Sequence, residues 1–287
     1  MKVSILSWEK YNWRPFGSIG SSMIRARWLT EKWPEASEWK HGDKFDAIIL
    51  QKVYWMDMVK DFDGVKILDM CDPDWTKSES TNCKLVEISQ YINAITCSTD
   101  ALRDVIKRII KHIPVITIPD RLNLDYFTIK KEHKEPAKSV VWFGYYHKAK
   151  EVLNQVIPSL KKRNLSLYVI SNSNFIADND YGVEISNIMW EPNNAFMDIQ
   201  SGDFVINPSS PLGDLRYKSN NKTLIAWALG MPVVNTAEEM DRFLDPLERQ
   251  KEATIRIKEI QEKWSIEESI KQYKDLICLI QKKKKNK

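Results

Sequence analysis

No stretch of this chain approaches the roughly 18 apolar residues that a membrane-spanning helix requires. The opening residues, MKVSILSWEKYNW, lack the apolar core of a secretion signal and read as a first strand, so a cytoplasmic protein is expected (host cytoplasm for a viral one). Several chemical signatures are missing too. There is no GxGxxG after a strand, which argues against NAD or FAD; no GxxxxGK[ST], which excludes a P-loop nucleotidase; and no GxSxG nucleophile elbow. The histidines at 41, 112, 133 and 147 form no HExxH or other pair, and Cys71, Cys83, Cys97 and Cys278 form no CxxC. No metal site and no cofactor are expected, and the thiols read as reduced core residues. No internal repeat is present, and the closing lysines are the single low-complexity tract.

What is there has an ordinary globular balance: 287 residues, 43% hydrophobic and 29% charged. The net charge is only +4, and the closing KKKKNK supplies much of it. Such a run reads as a solvated, disordered tail that could also touch a polyanion through counterion release. Tryptophan is abundant, with 11 residues, and Trp8, Trp13, Trp28, Trp33, Trp39, Trp55 and Trp75 crowd the first 80 positions. Most are expected to pack in the core or at strand ends. A few at strand ends are placed to act as platforms for a sugar or base, because a flat ring buries much area at little entropic cost.

Short apolar runs at 2–6, 47–51, 66–70, 94–97 and 115–118 read as strands. Helical patterns at 21–32, 56–61, 85–92 and 99–112 separate them. The polar stretch 128–138 reads as a linker, after which strands at 140–143, 166–170, 184–188, 204–207 and 232–235 alternate with helices at 150–163, 193–201 and 223–229. This α/β alternation predicts two parallel sheets, each covered by helices, with ligands at strand C-termini in a cleft between the halves. The predicted division is an N-terminal domain 1–127, the linker 128–138, a second domain 139–246, and C-terminal helices with the basic tail over 247–287.

The most informative segment is 203–235, which reads strand, charged loop, helix, glycine turn, strand. Arg216, Lys218 and Lys222 crowd the loop and first turn before an apolar helix. A helix N-terminus carries unpaired N–H groups and about half a positive charge, so added cations make an anion site suited to a diphosphate. Solvated surface lysines, with Ser219, Asn220 and Asn221 as plain helix caps, are the simpler use of the same residues.

Four motifs give this segment its context. NKTLIAWALGMPVV (221–234) is similar to the donor helix of the retaining, nucleotide-sugar-dependent glycosyltransferases of the GT-B fold (the family 4-like group). VVWFGYYHKAKEVLNQVIPSL (140–160) looks like the strand, glycine loop and helix that open their donor domain. GSIGSSMIRARWL (17–29) resembles their first glycine loop, and VITIPDRLNLDYF (115–127) their passage into the linker. The resemblance spans nearly the whole chain. It implies two Rossmann-like domains facing a cleft, an acceptor-binding N-terminal half, a donor-binding C-terminal half, and C-terminal helices that cross back to the N-domain. The activity it implies is transfer of a hexosyl or pentosyl group from a nucleoside diphosphate sugar, UDP-linked by expectation, with retention and without a metal.

On this reading the donor residues are Gly17, Ser18, Gly144, Lys148, Met189, Trp190, Arg216, Lys218, Asn221, Lys222 and Thr223. A guanidinium at 216 can clamp a diphosphate bidentately, and the lysines act as point charges. Asp72 is the candidate catalytic carboxylate, and Arg25, Asp74 and Trp75 the candidate acceptor contacts. Arg25 and Arg27, two apart on a helix, cannot share a face. Ile225 stands where the group commonly has a ribose-binding glutamate, which leaves nucleotide identity open. The acceptor is open as well: a glycan, or viral DNA carrying hydroxymethylated bases, for which the basic helix 103–112 and the lysine tail would serve. The rival reading is a non-catalytic sugar- or nucleic-acid-binding module of the same fold. A nucleotide-sugar epimerase is disfavoured by the missing dinucleotide loop, and a monomer or dimer is expected.

Overall fold

The computed structural model describes residues 1–14, 20–74, 79–208 and 216–285, and the side chains of 79–82, 147, 148 and 151 are not considered. The chain forms two compact units. The first comprises Met1–Asn123, Ser210–Asn220 and Trp264–Lys287; the second comprises Leu124–Ser209 and Asn221–Lys263.

The first unit is built on a six-stranded parallel sheet of order β2-β1-β3-β4-β5-β6. Its strands are β1 (Val3–Ser7), β2 (Ala36–Glu38), β3 (Ala47–Gln51), β4 (Val65–Met70), β5 (Ala94–Cys97) and β6 (Val115–Thr117). All five residues of β1 and of β3 are buried. Strands covered on both faces have no solvent side, so their sequences are continuous apolar runs rather than alternating ones. The edge strand β2 has one buried residue, Ala36, and sits outside that signal; the sequence pattern does not reveal it.

The helices of this unit are α1 (Trp8–Tyr11), α2 (Gly20–Ser22), α3 (Trp28–Lys32), α4 (Met56–Asp61), α5 (Glu79–Ile88) and α6 (Asp100–Ile109). The helix expected over 21–32 carries a π-helical turn at Met23–Arg27, a widened backbone that often marks a functional or strained place. Trp28 and Trp33 are fully buried, whereas Trp13 is 95% exposed.

Arg25, in the π turn, is the hub of a buried network. Its Nε and Nη2 donate to the two carboxylate oxygens of Asp69 at 2.7 and 2.6 Å. Nη1 donates to Asp120 Oδ1 at 2.6 Å and to the Ile118 carbonyl at 2.9 Å. Asp69 also accepts from Thr96 Oγ1 at 2.6 Å and from the Tyr273 hydroxyl at 2.8 Å. Tyr273 lies on the last helix, α11 (Ile266–Lys285), which thus docks on the first sheet through a buried charge. Arg121 Nη1 reinforces it by donating to Ser269 Oγ at 3.0 Å and Gln272 Oε1 at 2.8 Å.

The expected solvated tail is helical instead, and α11 continues through Lys285. Lys284 Nζ donates to the carbonyls of Asp63 and Gly64 at 2.9 and 3.0 Å, and cations suit the negative end of a helix. The other C-terminal helix, α10 (Pro246–Lys263), belongs to the second unit, so the return to the first sheet is made by α11.

The second unit holds a five-stranded parallel sheet of order β11-β10-β7-β8-β9. The strands are β7 (Ser139–Gly144), β8 (Ser166–Ser171), β9 (Ile185–Met189), β10 (Phe204–Ile206) and β11 (Val233–Val234), covered by α7 (Tyr146–Lys162), α8 (Ala195–Ile199), α9 (Asn221–Ala228) and α10. The polar stretch 128–138, read as a linker, is packed onto this unit. Lys130 Nζ donates to the carbonyls of Phe127 and Ala228, and Lys131 Nζ donates to that of Gln200 at 2.8 Å. His133 is buried: its Nε2 donates to the Gly230 carbonyl at 2.9 Å and its Nδ1 accepts from Arg249 Nε at 3.3 Å. Arg249, 1% exposed, also donates to the carbonyls of Phe243, Leu244 and Glu135. Charged side chains that satisfy backbone carbonyls look like a linker in sequence and act as cement in the fold. Of the four thiols, Cys71 and Cys97 are buried as expected, but Cys83 and Cys278 are exposed.

Two outcomes follow. Arg25→Ala leaves Asp69 and Asp120 buried without their cation and should cost about 3–5 kcal/mol in urea unfolding; a loss below about 1 kcal/mol would contradict the network's role. His133 is pushed below its ordinary pKa by burial and by the charges of Arg249 and Lys131, against the Gly230 hydrogen bond. The unfolded chain therefore takes the proton first, and stability should fall as pH drops through about 6.5. The wild-type Tm should decline more steeply below that pH than the Tm of His133→Gln.

Candidate functional site

Parallel strands present their C-terminal ends, and the loops after them, to ligands. In the first unit those loops carry a polar row. Gln51 ends β3, and its Oε1 accepts from Trp8 N and Ser22 Oγ, both at 3.2 Å. The next residue, Lys52, has a left-handed backbone (φ 58°), a conformation that costs a non-glycine residue roughly 1–3 kcal/mol and concentrates at functional places. Its Nζ reaches Asp72 Oδ2 at 2.5 Å and Asp74 Oδ1 at 3.9 Å. Both carboxylates follow β4, and both residues are 8% exposed.

A second cation meets the same carboxylate: Lys218 Nζ donates to Asp72 Oδ1. Burial alone would raise Asp72, but the charges and hydrogen bonds of Lys52 and Lys218 hold it well below the usual carboxylate range. Lys52 is correspondingly held above its ordinary value: burial opposes this, and Cys71, Asp72 and Asp74 outweigh it. Burial pushes the Cys71 thiol up, so it adds no charge to this cluster at neutral pH. Two lysines thus face two carboxylates.

Lys218 arrives on a segment docked across the ends of β4, β5 and β6. Tyr217 is buried in the first unit's apolar core, and its carbonyl accepts from Thr99 Oγ1 at 3.0 Å. Ser219 Oγ donates to Asp120, the residue that also holds Arg25. Arg216 is exposed, with its guanidinium 4.5 Å from the Tyr217 ring centroid.

The second unit carries its own cradle. Gly144 ends β7 at φ 152°, and a Cβ there would come within 2.6 Å of Lys222 Nζ and 3.2 Å of the Trp142 ring. Lys222 lies in the first turn of α9 with its ammonium 4.8 Å from the Trp142 ring centroid. Thr223 Oγ1, buried, accepts from Asn207 Nδ2 at 3.2 Å, which ties the start of α9 to the end of β10. Asn172 Oδ1, after β8, accepts from Tyr146 N at 2.9 Å and occupies one amide at the start of α7. The arrangement is a bare glycine backbone, a helix N-terminus with Asn221 and Lys222, and a cation held over an aromatic face, which suits an anionic oxygen ligand.

The sequence-derived residues fall as follows. Arg216 and Lys218 are in the first unit and Lys222 in the second, so three cations adjacent in sequence are divided between two bodies. Among the described residues Arg25 donates five hydrogen bonds, all to buried groups of the first unit, so its guanidinium is a structural hub rather than a ligand arm. Arg27, as its spacing predicts, points elsewhere and pairs with Glu31 at 2.9 Å. Met189, 51% exposed, and Trp190, half-buried, close β9, where Trp190 N donates to the Ser171 carbonyl at 2.8 Å. Ile225 is 5% exposed within the packing under α9, so an apolar residue there fills core. Gly17, Ser18 and Trp75 lie outside the described residues, as does the side chain of Lys148. Lys52 escaped the sequence reading. Its signal was a lysine placed directly after the apolar run AIILQ, at the mouth of a strand.

No known protein family and no curated protein sequence matches the chain. Solved structures do. HepE from Anabaena, in complex with UDP and glucose, aligns at a TM-score of 0.68 and 8% identity over 97% of this chain and 99% of that one. A glycosyltransferase from Rickettsia africae aligns at 0.55 and 10% identity, covering 98% and 99%. TarM from S. aureus, in complex with UDP and α-GlcNAc-glycerol among its ligands, aligns at 0.59 and 12% identity over 80% of this chain; the chain spans 55% of TarM's length. The likeness is one of fold, and the fold is that of the GT-B glycosyltransferases.

Gly144→Ala should destabilise the second unit by about 1–2 kcal/mol, because the backbone is glycine-specific and the added methyl displaces Lys222. An unchanged urea midpoint would show that the turn relaxes freely.

Proposed function

We propose that this protein is a glycosyltransferase that moves a sugar from a nucleoside diphosphate sugar, UDP-linked, to a hydroxyl of a glycan. The observation that carries the reading is the cradle of Gly144, Lys222 and the α9 N-terminus, in a fold similar over its whole length to a chain that binds UDP and glucose. Phosphate oxygens accept hydrogen bonds from helix-start amides and take charge from Lys222. Neutralising the departing diphosphate is the largest electrostatic help such a transfer requires. On this reading Lys222 and the helix-start amides supply part of it.

The first unit supplies the acceptor side on this reading. Asp72 is ionised and fixed, so it can accept a hydrogen bond from an acceptor hydroxyl and orient it. Asp74 offers a second acceptor for a hydroxyl. Met189 and Trp190 flank the nucleobase, and with Ile225 buried the ribose is held by other groups. A glycan acceptor is favoured over DNA because the structurally similar proteins carry sugar ligands, glucose in HepE and α-GlcNAc-glycerol in TarM. Arg103 of the basic α6, moreover, pairs with Asp100 and Asp104 on its own helix.

Lys222→Ala should weaken UDP-sugar binding by about 10- to 100-fold with folding intact, and Asp72→Asn should lower turnover without lowering donor affinity. Calorimetry and a transfer assay with UDP- and GDP-sugars check both. Unchanged donor affinity in Lys222→Ala removes the cradle from the mechanism. Binding of DNA with no binding of any nucleotide sugar favours a non-catalytic module.

A further inference from the structure

Core packing alone does not account for where Trp142 stands. It comes two residues before Gly144 on β7, and residues two apart on a strand project from the same face. The side-chain position that Gly144 leaves empty is therefore the one beside the Trp142 ring. A Cβ at 144 would lie 3.2 Å from Cη2 of that indole, 2.6 Å from Lys222 Nζ and 3.1 Å from Lys222 Cε. The ammonium of Lys222 fills this gap from the first turn of α9, 4.8 Å from the Trp142 ring centroid. The indole is 2% exposed and shares an apolar cluster with Ala149, Leu153 and Phe204. Its strand is paired on both sides, with β8 and with β10. The ring is a fixed floor, and Lys222 lies half-buried against it.

We propose that Trp142 is the positioning residue for Lys222: its face holds the ammonium in the cradle for a phosphate oxygen and keeps it there when the oxygen binds. The inference rests on the reading of the Gly144 cradle as the diphosphate site, and all of its parts lie within the second unit.

An aromatic face and a carboxylate hold a cation in different ways. A carboxylate neutralises the ammonium, so an anionic ligand has to compete with it. An indole has no formal charge; its quadrupole attracts the ammonium and subtracts nothing from the charge. Burial of the ring strengthens the attraction, because little water competes for it. A lysine in solvent samples many rotamers, and ordering such a side chain opposes binding. Here the indole and the bare glycine backbone confine the end of the side chain before a ligand arrives. Gly144 makes the space, and Trp142 makes that space attractive to a cation.

Fluorinated tryptophan placed site-specifically at position 142 of the full chain tests this. Ring fluorines draw electron density from the aromatic face with little change of shape, so a residue that only packs is unaffected. UDP titrated by calorimetry should bind more weakly at each step from mono- to di- to trifluorotryptophan, with a loss of about three- to tenfold at the last. Lys222→Met should also weaken UDP binding, and in that background the fluorine series should have no effect. Should a fluorinated chain fail to give the wild-type circular dichroism spectrum, Trp142→Phe, whose face attracts a cation less, takes its place. A Lys222→Met loss with no response to fluorination overturns the positioning role and leaves the cradle reading standing. Affinity that rises with fluorination overturns it as well, since the ring then competes with the ligand for the ammonium. A fluorine effect that persists without Lys222 overturns it too, because the ring then acts on UDP by another route. UDP affinity unmoved by Lys222→Met overturns the cradle reading and the positioning role together.

Discussion

Arg25 meets Asp69 and Asp120 in the buried interior, and much of the first unit is arranged around keeping those three charges satisfied. A buried guanidinium is tolerable only when its N–H groups all find acceptors, and here two carboxylates, a carbonyl and a phenol oxygen supply them. Through Tyr273 the network fixes the last helix onto the sheet, and through Asp120 it meets Ser219 of a segment far along the chain. Distant stretches of sequence are thus tied to one point by charge as well as by apolar packing.

That constraint positions the chemistry. Asp120 holds the segment 216–220 at the ends of β4 to β6, which brings Lys218 to Asp72. Lys52 completes the arrangement from β3. In the second unit the logic is different: a glycine at a strand end leaves room, a lysine fills it over an aromatic face, and a helix begins beside it. One unit offers fixed charges in compensated pairs, and the other a lysine held over an aromatic face beside a glycine backbone.

Much of this was legible from particular residues. Runs such as AIILQ and SVVWFG announced buried parallel strands because apolar continuity, unlike alternation, needs cover on both faces. The spacing of Arg25 and Arg27 already put the two on different faces, although it sent Arg25 to the acceptor rather than to the interior network. What resisted reading was polar. The stretch 128–138 looks like a linker, yet His133 and its neighbours bind carbonyls, since local composition does not reveal where a long basic side chain ends. Ala36–Glu38 is a strand because it pairs in parallel with β1 at the sheet edge, not by its own propensity.

Sequence by itself determined the two α/β halves, the order along the chain of every described strand but Ala36–Glu38, and the clustering of cations near the start of one helix, because period and composition are local quantities. Only the tertiary structure decided that Lys218 belongs to the first unit and Lys222 to the second, that Arg25 is a hub, and that Lys52 stands beside Asp72. Those outcomes depend on which buried carboxylate each cation can reach. That is a property of chain segments brought together from positions 25, 52, 72, 120 and 218, and no window of sequence contains it.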